Sequence, residues 1–296
     1  MGLLALLLLP LLTVASVPAW GAAFVWVAGL GATGVLAAGV GLGWLPLGEA
    51  REDANLIARR SDGPVERWLV AHLDTKAQGQ SMAGRLVAVW AVAVAIAALT
   101  AAVLLRLAGP VPLALGAAAA TATVLAGALA GRGRLRGRSR GARDNGSGIA
   151  AVLAAAAAAN DPATGVLITG AEEFGLVGAR VFGQVEARRL AGVEVVNFDT
   201  IDQEGELYLV SHDRRGAGLA ARYARRVAGL GAAVRPRRLP LGILVDSLPL
   251  ARAGAAAITV GRLTWGTLRR IHTPRDVPEG LSLDFAERTG RAIVTN

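Results

Sequence analysis

Two histidines and five acids in this chain are of types that could do metal chemistry together: His72, Asp74, Asp144, Glu172, Glu173, Asp199 and His272. Two imidazoles and three carboxylates make a donor set for two zinc ions that share one bridging carboxylate. Two acids then remain to move a proton or orient a neighbour. Singly, each residue has an ordinary reading. His-x-Asp at a strand end is commonly a surface turn, and a Glu-Glu pair often opens a solvated helix, where acids suit the dipole. Asp-Asn-Gly is a frequent turn sequence, and a histidine near a proline, as in IHTPRD, is usually loop. The ordinary readings leave the joint pattern unexplained, since two of the chain's three histidines fall on it. The third, His212 in LVSHD, has no motif partner and reads as a solvent-facing strand end.

Groups so far apart in sequence can meet only if several strands end at one edge. The pattern allows this. VERWLVAHLDT ends an apolar run at His72 and Asp74, GVLITGAEE does so at Glu172 and Glu173, and VEVVNFDTID at Asp199. In open α/β sheets the carboxyl ends of the strands form the active-site crevice. NLIARR, GELYLVSH and AAAITVGR read as further strands. SGIAAVLAAAAAA, GLVGARVFGQV, RRGAGLAARYARRVAGLG and LSLDFAERTGRAIVTN read as helices, the first stopped at Asn160-Asp161-Pro162. Strands alternating with helices predict an α/β fold with a mixed, mainly parallel sheet and helices on both faces.

The same residues carry a family resemblance. HLDTK, GARDNGSGIAAVL, AEEFGLVGAR, NFDTID and IHTPRDVPE resemble, in order, five motifs of the co-catalytic di-zinc exopeptidases, the group of bacterial leucyl aminopeptidases and glutamate carboxypeptidases. The resemblance covers roughly residues 50–85 and 141–296. It implies the zinc exopeptidase fold and two Zn2+. One zinc would be held by His72 and Asp199, the other by Glu173 and His272, with Asp144 bridging. Glu172 would be the general base, and Asp74 would accept a hydrogen bond from His72 and fix its tautomer. The Asp144–Asn145 peptide would be cis. LGILVDSLPL resembles the family's substrate-side loop with its His and aromatic missing. There Asp246 shapes the substrate pocket or caps a helix beginning near Ser247. The implied function is a zinc-dependent aminopeptidase acting on terminal bonds of a peptide substrate. The alternatives are a carboxypeptidase or other amidohydrolase on the same site, and, from another class, a non-catalytic membrane receptor or scaffold. A glutaminyl-cyclase-like activity fits less well, because those relatives work with one zinc.

The rest of the chain predicts a membrane setting. Its first 48 residues hold no charged side chain, too long a run for a secretory signal and without the basic start one needs. They read as two spans, near 2–18 and 22–46, with Trp20 and Trp44 suited to the interfaces. Uncharged runs at 86–105 and 110–130, rich in Ala and Gly, read as a second pair of spans. The expected organisation is therefore two transmembrane helices in 1–48, a first piece of peptidase domain in 49–85, an inserted transmembrane hairpin in 86–131 and the remaining domain in 132–296. The insertion departs from the family, where that gap is usually a short loop.

The net charge of +9 comes from 30 Arg and a single Lys. Six of the arginines lie in GRGRLRGRSRGAR, from Arg132 to Arg143. A basic run can bind nucleic-acid phosphate, but this one follows an apolar span and has no aromatic residue for base stacking. It reads as a cytoplasmic-side topology signal that touches anionic membrane lipid, with no nucleic-acid partner. Arg51, Arg59, Arg60, Lys76 and Arg85 fall on the same side, and only Arg106 on the other. The expectation is an integral protein of a bacterial-type inner membrane, with the catalytic domain and both termini in the cytoplasm. The absence of Cys neither supports nor opposes this.

Overall fold

A computed structural model describes residues 2–41, 52–240 and 242–295. They fall into two compact units, one within 1–51 and 84–134 and the other within 52–83 and 135–296.

The first unit is helical: α1 Gly2–Thr13, α2 Ala19–Gly41, α3 Met82–Arg106 and α4 Leu113–Ala130. Among the described residues three helices, α2, α3 and α4, are long and apolar enough to cross a membrane. The expected first span, 2–18, departs from its reading. Its helix has 12 residues, about 18 Å against a hydrocarbon core of about 30 Å, and a turn over 14–17 leads to Pro18. The end of the second span and Trp44 lie outside the described residues. Leu8, Leu12, Trp26, Leu99, Val103 and Val111 form the unit's core. A Cβ at Gly116 would lie 3.0 Å from Thr13 Cγ2, so glycine lets α4 approach α1 closely. Arg106 is buried. It donates to the carbonyls of Leu11 (3.0 Å), Val14 (3.1 Å) and Val17, closing the open end of α1.

The second unit is built on seven strands: β1 Leu56–Ala58, β2 Arg67–His72, β3 Thr164–Thr169, β4 Glu194–Ile201, β5 Glu206–Ser211, β6 Val234–Arg238 and β7 Ala256–Leu263. Their order in the sheet is β1-β3-β2-β4-β7-β5-β6. The run β3-β2-β4-β7 is parallel, β1 and β5 join it antiparallel, and β6 pairs parallel with β5. His72 stands opposite Thr169 in register, so β2 and β3 end together. Helices α5 Ser147–Ala158, α6 Val177–Val185, α7 Ala187–Leu190, α8 Arg214–Val227, α9 Ser247–Arg252, α10 Trp265–Arg270 and α11 Asp284–Val294 complete the unit.

Alternation along the strands decides which helix covers which face. Leu69, Ala71, Val196, Phe198, Ile258 and Val260 pack with Ala151, Val152, Tyr223 and Phe285 of α5, α8 and α11. Trp68, Val70, Val195 and Ala257 pack with Ala179 and Phe182 of α6 and Leu250 of α9. The α/β reading with a mixed sheet covered on both faces therefore holds. β6 was not foreseen. Its VRPRR sequence is largely exposed and carries a proline, which suits an edge strand.

Candidate metal centre

His72 is the last residue of β2, buried, with its Nε2 3.1 Å from Asp144 Oδ1 and 3.9 Å from Asp199 Oδ1. His272 brings its Nε2 3.2 Å from Asp144 Oδ2 and 3.2 Å from Glu173 Oε2. Asp144 thus offers one oxygen to each histidine. Two groups result, His72–Asp144–Asp199 and Asp144–Glu173–His272, each with its donor atoms within 4.8 Å of one another. The backbone is bent at each approach. Ala171 (φ 50°), Thr200 (φ 55°) and His272 (φ 62°) all adopt the left-handed region without being glycine. Such conformations cluster where surrounding structure over-determines them, often at functional sites.

The Asp144 segment is fixed by an extensive set of hydrogen bonds. The backbone N–H groups of Arg143 and Asp144 donate to Asp276 at 2.9 and 3.1 Å. Asn145 donates to the Phe198 carbonyl (2.8 Å) and accepts from the N–H of Gly148 (3.0 Å) and Thr200 (3.2 Å). Ser147 donates to the Arg143 carbonyl (2.7 Å) and accepts from the Ile201 N–H (2.8 Å). A Cβ at Gly148 would collide with the Asn145 side chain and the Phe198 carbonyl, which explains the second glycine of DNGSG. The Asp144–Asn145 peptide is cis, as the resemblance implied. The Arg143 side chain, itself buried, reaches Asp202 at 3.2 Å, and Asp202 also accepts from Thr267 at 2.7 Å.

Asp74 meets both His72 and the acid pair. Its carboxylate is 3.7 Å from His72 Nδ1, whereas its backbone carbonyl lies at 3.0 Å and takes that hydrogen bond. The carboxylate instead accepts the N–H groups of Glu172 (2.9 Å) and Glu173 (3.0 Å), fixing the turn that carries both acids. Asp246 is fully buried. It makes no side-chain cap on α9, which removes the capping alternative, and it accepts from Thr169 at the end of β3. His212 is not a free strand end either. It is half-buried, with Nε2 2.7 Å from Ser247 Oγ, and Ser247 continues to Thr259 at 2.6 Å.

Lys76, which lies outside the histidine and acid pattern, enters the cluster. Its Nζ lies 2.6 Å from Glu173 Oε2 and donates to the Glu173 carbonyl at 3.0 Å. The following loop is pinned to the other histidine by Gln78 N–H, which donates to the His272 carbonyl at 2.9 Å.

The electrostatics favour cations. Burial would lower both histidines, but their carboxylate neighbours outweigh it, raising His72 well above its usual value and His272 to about 9. Burial would raise Asp144, yet the two histidines hold it well below the carboxylate range. Burial lifts Asp199 to about 7 and Asp246 to about 6. It also pushes Glu172 well up, with Asp246, Asp199 and Glu173 adding to the effect against His72. The cluster therefore carries more carboxylate than its own cations balance. Glu173 Oε1 is buried with no hydrogen-bond partner. Imidazole and carboxylate donors in two groups around a shared aspartate fit zinc.

The sequence pattern described as Peptidase family M28 matches residues 119–296. No curated protein matches. Among solved structures, the LapA aminopeptidase of Legionella pneumophila is 22% identical, covers 55% of this chain and 48% of its own, and gives a TM-score of 0.44. BSAP, a zinc aminopeptidase from Bacillus subtilis, is 17% identical over 81% of this chain and 48% of its own, with a TM-score of 0.47. A glutaminyl cyclase of Bacteroides thetaiotaomicron is 11% identical over 81% of this chain and 75% of its own, with a TM-score of 0.43. The chain spans about half the length of these two aminopeptidases.

Proposed function

Because the chain belongs to peptidase family M28, we propose that it is a zinc-dependent peptidase that hydrolyses terminal peptide bonds as an aminopeptidase. The observation that carries this reading is the position of Asp144, one carboxylate oxygen toward each of two buried histidines. His72, Asp199 and Asp144 would hold one zinc, and Glu173, His272 and Asp144 the other. Zinc bound by these residues would supply polarisation of the scissile carbonyl and a lowered water pKa. Glu172 belongs to neither group and is buried beside both. Its raised proton affinity suits a carboxylate that takes the proton of that water and returns it to the leaving amine. Asp74 holds the Glu172–Glu173 turn by its carboxylate and the His72 ring by its carbonyl, so both are oriented before substrate arrives. Asp246 lines the substrate side and adds to the charge that keeps Glu172 basic.

The full chain, purified in detergent, is expected to carry two zinc ions and to release N-terminal residues from a peptide library. Chelation should stop the release and zinc should restore it. Release from the carboxyl end would replace the aminopeptidase reading by the carboxypeptidase one. A zinc-free chain that cleaves nothing would leave a receptor or scaffold on a peptidase fold.

We also propose that the helical unit anchors the protein in a membrane, with the catalytic unit on its cytoplasmic face. The side shared by 52–83 and 135–296 does not depend on α1, because the hairpin of α3 and α4 returns the chain to the side it left. Arg106, the one basic residue of the opposite loops, is buried against three carbonyls. The free Lys/Arg excess therefore lies with the catalytic unit, as cytoplasmic segments require. A phosphatase reporter that works only outside the cytoplasm, fused after Asn296, should stay silent; strong activity would reverse the orientation.

A further inference from the structure

The two metal-ligand groups are matched in donor chemistry and unmatched in charge. Each has one imidazole and two carboxylates, with Asp144 common to both. Among the described residues, only the Asp144–Glu173–His272 group has a Lys or Arg paired with it. Lys76 Nζ sits 2.6 Å from Glu173 Oε2, with both side chains buried, and spends a second hydrogen on the Glu173 carbonyl. Among the described residues no Lys or Arg makes an ion pair with Asp144 or Asp199. Lys76 is moreover the chain's single lysine beside 30 arginines. An ammonium is a compact point charge, where a guanidinium is a broad planar fork.

Resting on the di-zinc reading, we propose that Lys76 makes the two zinc positions unequal, holding the affinity of the Asp144–Glu173–His272 position below that of the His72–Asp144–Asp199 position. Two effects act together. An ion entering beside Glu173 meets a fixed positive charge that is poorly screened in a buried site. It also binds a carboxylate whose charge is already partly satisfied, with Oε2 engaged and only Oε1 lacking a partner. The consequence is one firmly held and one exchangeable zinc.

The test is zinc binding by the full chain in detergent, titrated against a chromophoric chelator at fixed pH, with no turnover measured. The wild-type chain should bind in two steps separated by at least tenfold. His272→Ala should lose the weaker step and His72→Ala the tighter. Lys76→Met should tighten the weaker step at least tenfold and leave the other within threefold, while Lys76→Arg should keep two separated steps. Lys76→Gln, with the melting temperature of each metal-free variant, guards against simple misfolding. A lysine that merely positions Glu173 would, on removal, weaken that step instead. Weakening or no change in the folded Lys76 variants overturns the proposal, as does loss of the tighter step in His272→Ala. A wild-type chain that takes up no zinc overturns the di-zinc reading itself.

Discussion

Glu172→Gln is expected to lower turnover by about 10^2–10^4-fold, the usual contribution of a positioned general base, while both zinc ions stay bound. Glutamine keeps the shape and the N–H that Asp74 accepts, so the Glu172–Glu173 turn should survive. It removes only the carboxylate proposed to accept a proton. Glu173→Ala, one residue away, should differ in kind, because Glu173 belongs to a ligand group and Glu172 does not. It should lose one zinc along with the activity. Metal content and kcat measured on the same preparations separate the two. Near-normal turnover in Glu172→Gln would remove that residue from the chemistry.

Asp144→Ala should have the broadest effect on metal content. Asp144 is the one residue shared by both groups, so its removal takes a carboxylate from each. It also leaves His72 and His272, 3.1 and 3.2 Å from its oxygens, without their common partner. Zinc per chain should fall from two toward zero after dialysis, with activity at background, whereas Asp199→Ala should retain one ion. Folding of the variant can be checked by circular dichroism, since Asp276 holds the segment through backbone N–H groups that the substitution keeps. Retention of one tightly bound zinc in Asp144→Ala would show that the aspartate does not bridge.

What was legible in the sequence was whatever depends on local pattern. Short apolar runs with His or acid at or just past their ends marked β2, β3 and β4, and parallel pairing then brought His72, Glu173 and Asp199 to one edge. Side-chain partnership was not legible, because it is settled by geometry several residues wide. Nothing local to HLDTK says that the Asp74 carboxylate turns to the Glu172 and Glu173 amides, or that Lys76 swings to Glu173. Arg143, in the midst of an arginine-rich run, looked like one more surface charge. It is buried against Asp202 and the loop of Asp276. β6 lacked any alternation to find. The short α1 was hidden because the uncharged run continues past Pro18, so hydropathy does not show where its helix stops; Arg106, far along the chain, helps to end it.

The two ends of the stretch between 84 and 134 are tied down at one place on the sheet-bearing unit. Gln78 bridges to Leu135, and Arg136 N–H donates to the Ala77 carbonyl at 2.9 Å. The stretch therefore leaves and rejoins the sheet-bearing unit at one point. Closure entropy rises slowly with the length of a connection, so its size and content are free of the constraints that fix the site. The paired ends act in this sense as a socket, and the module plugged in here is a pair of apolar helices.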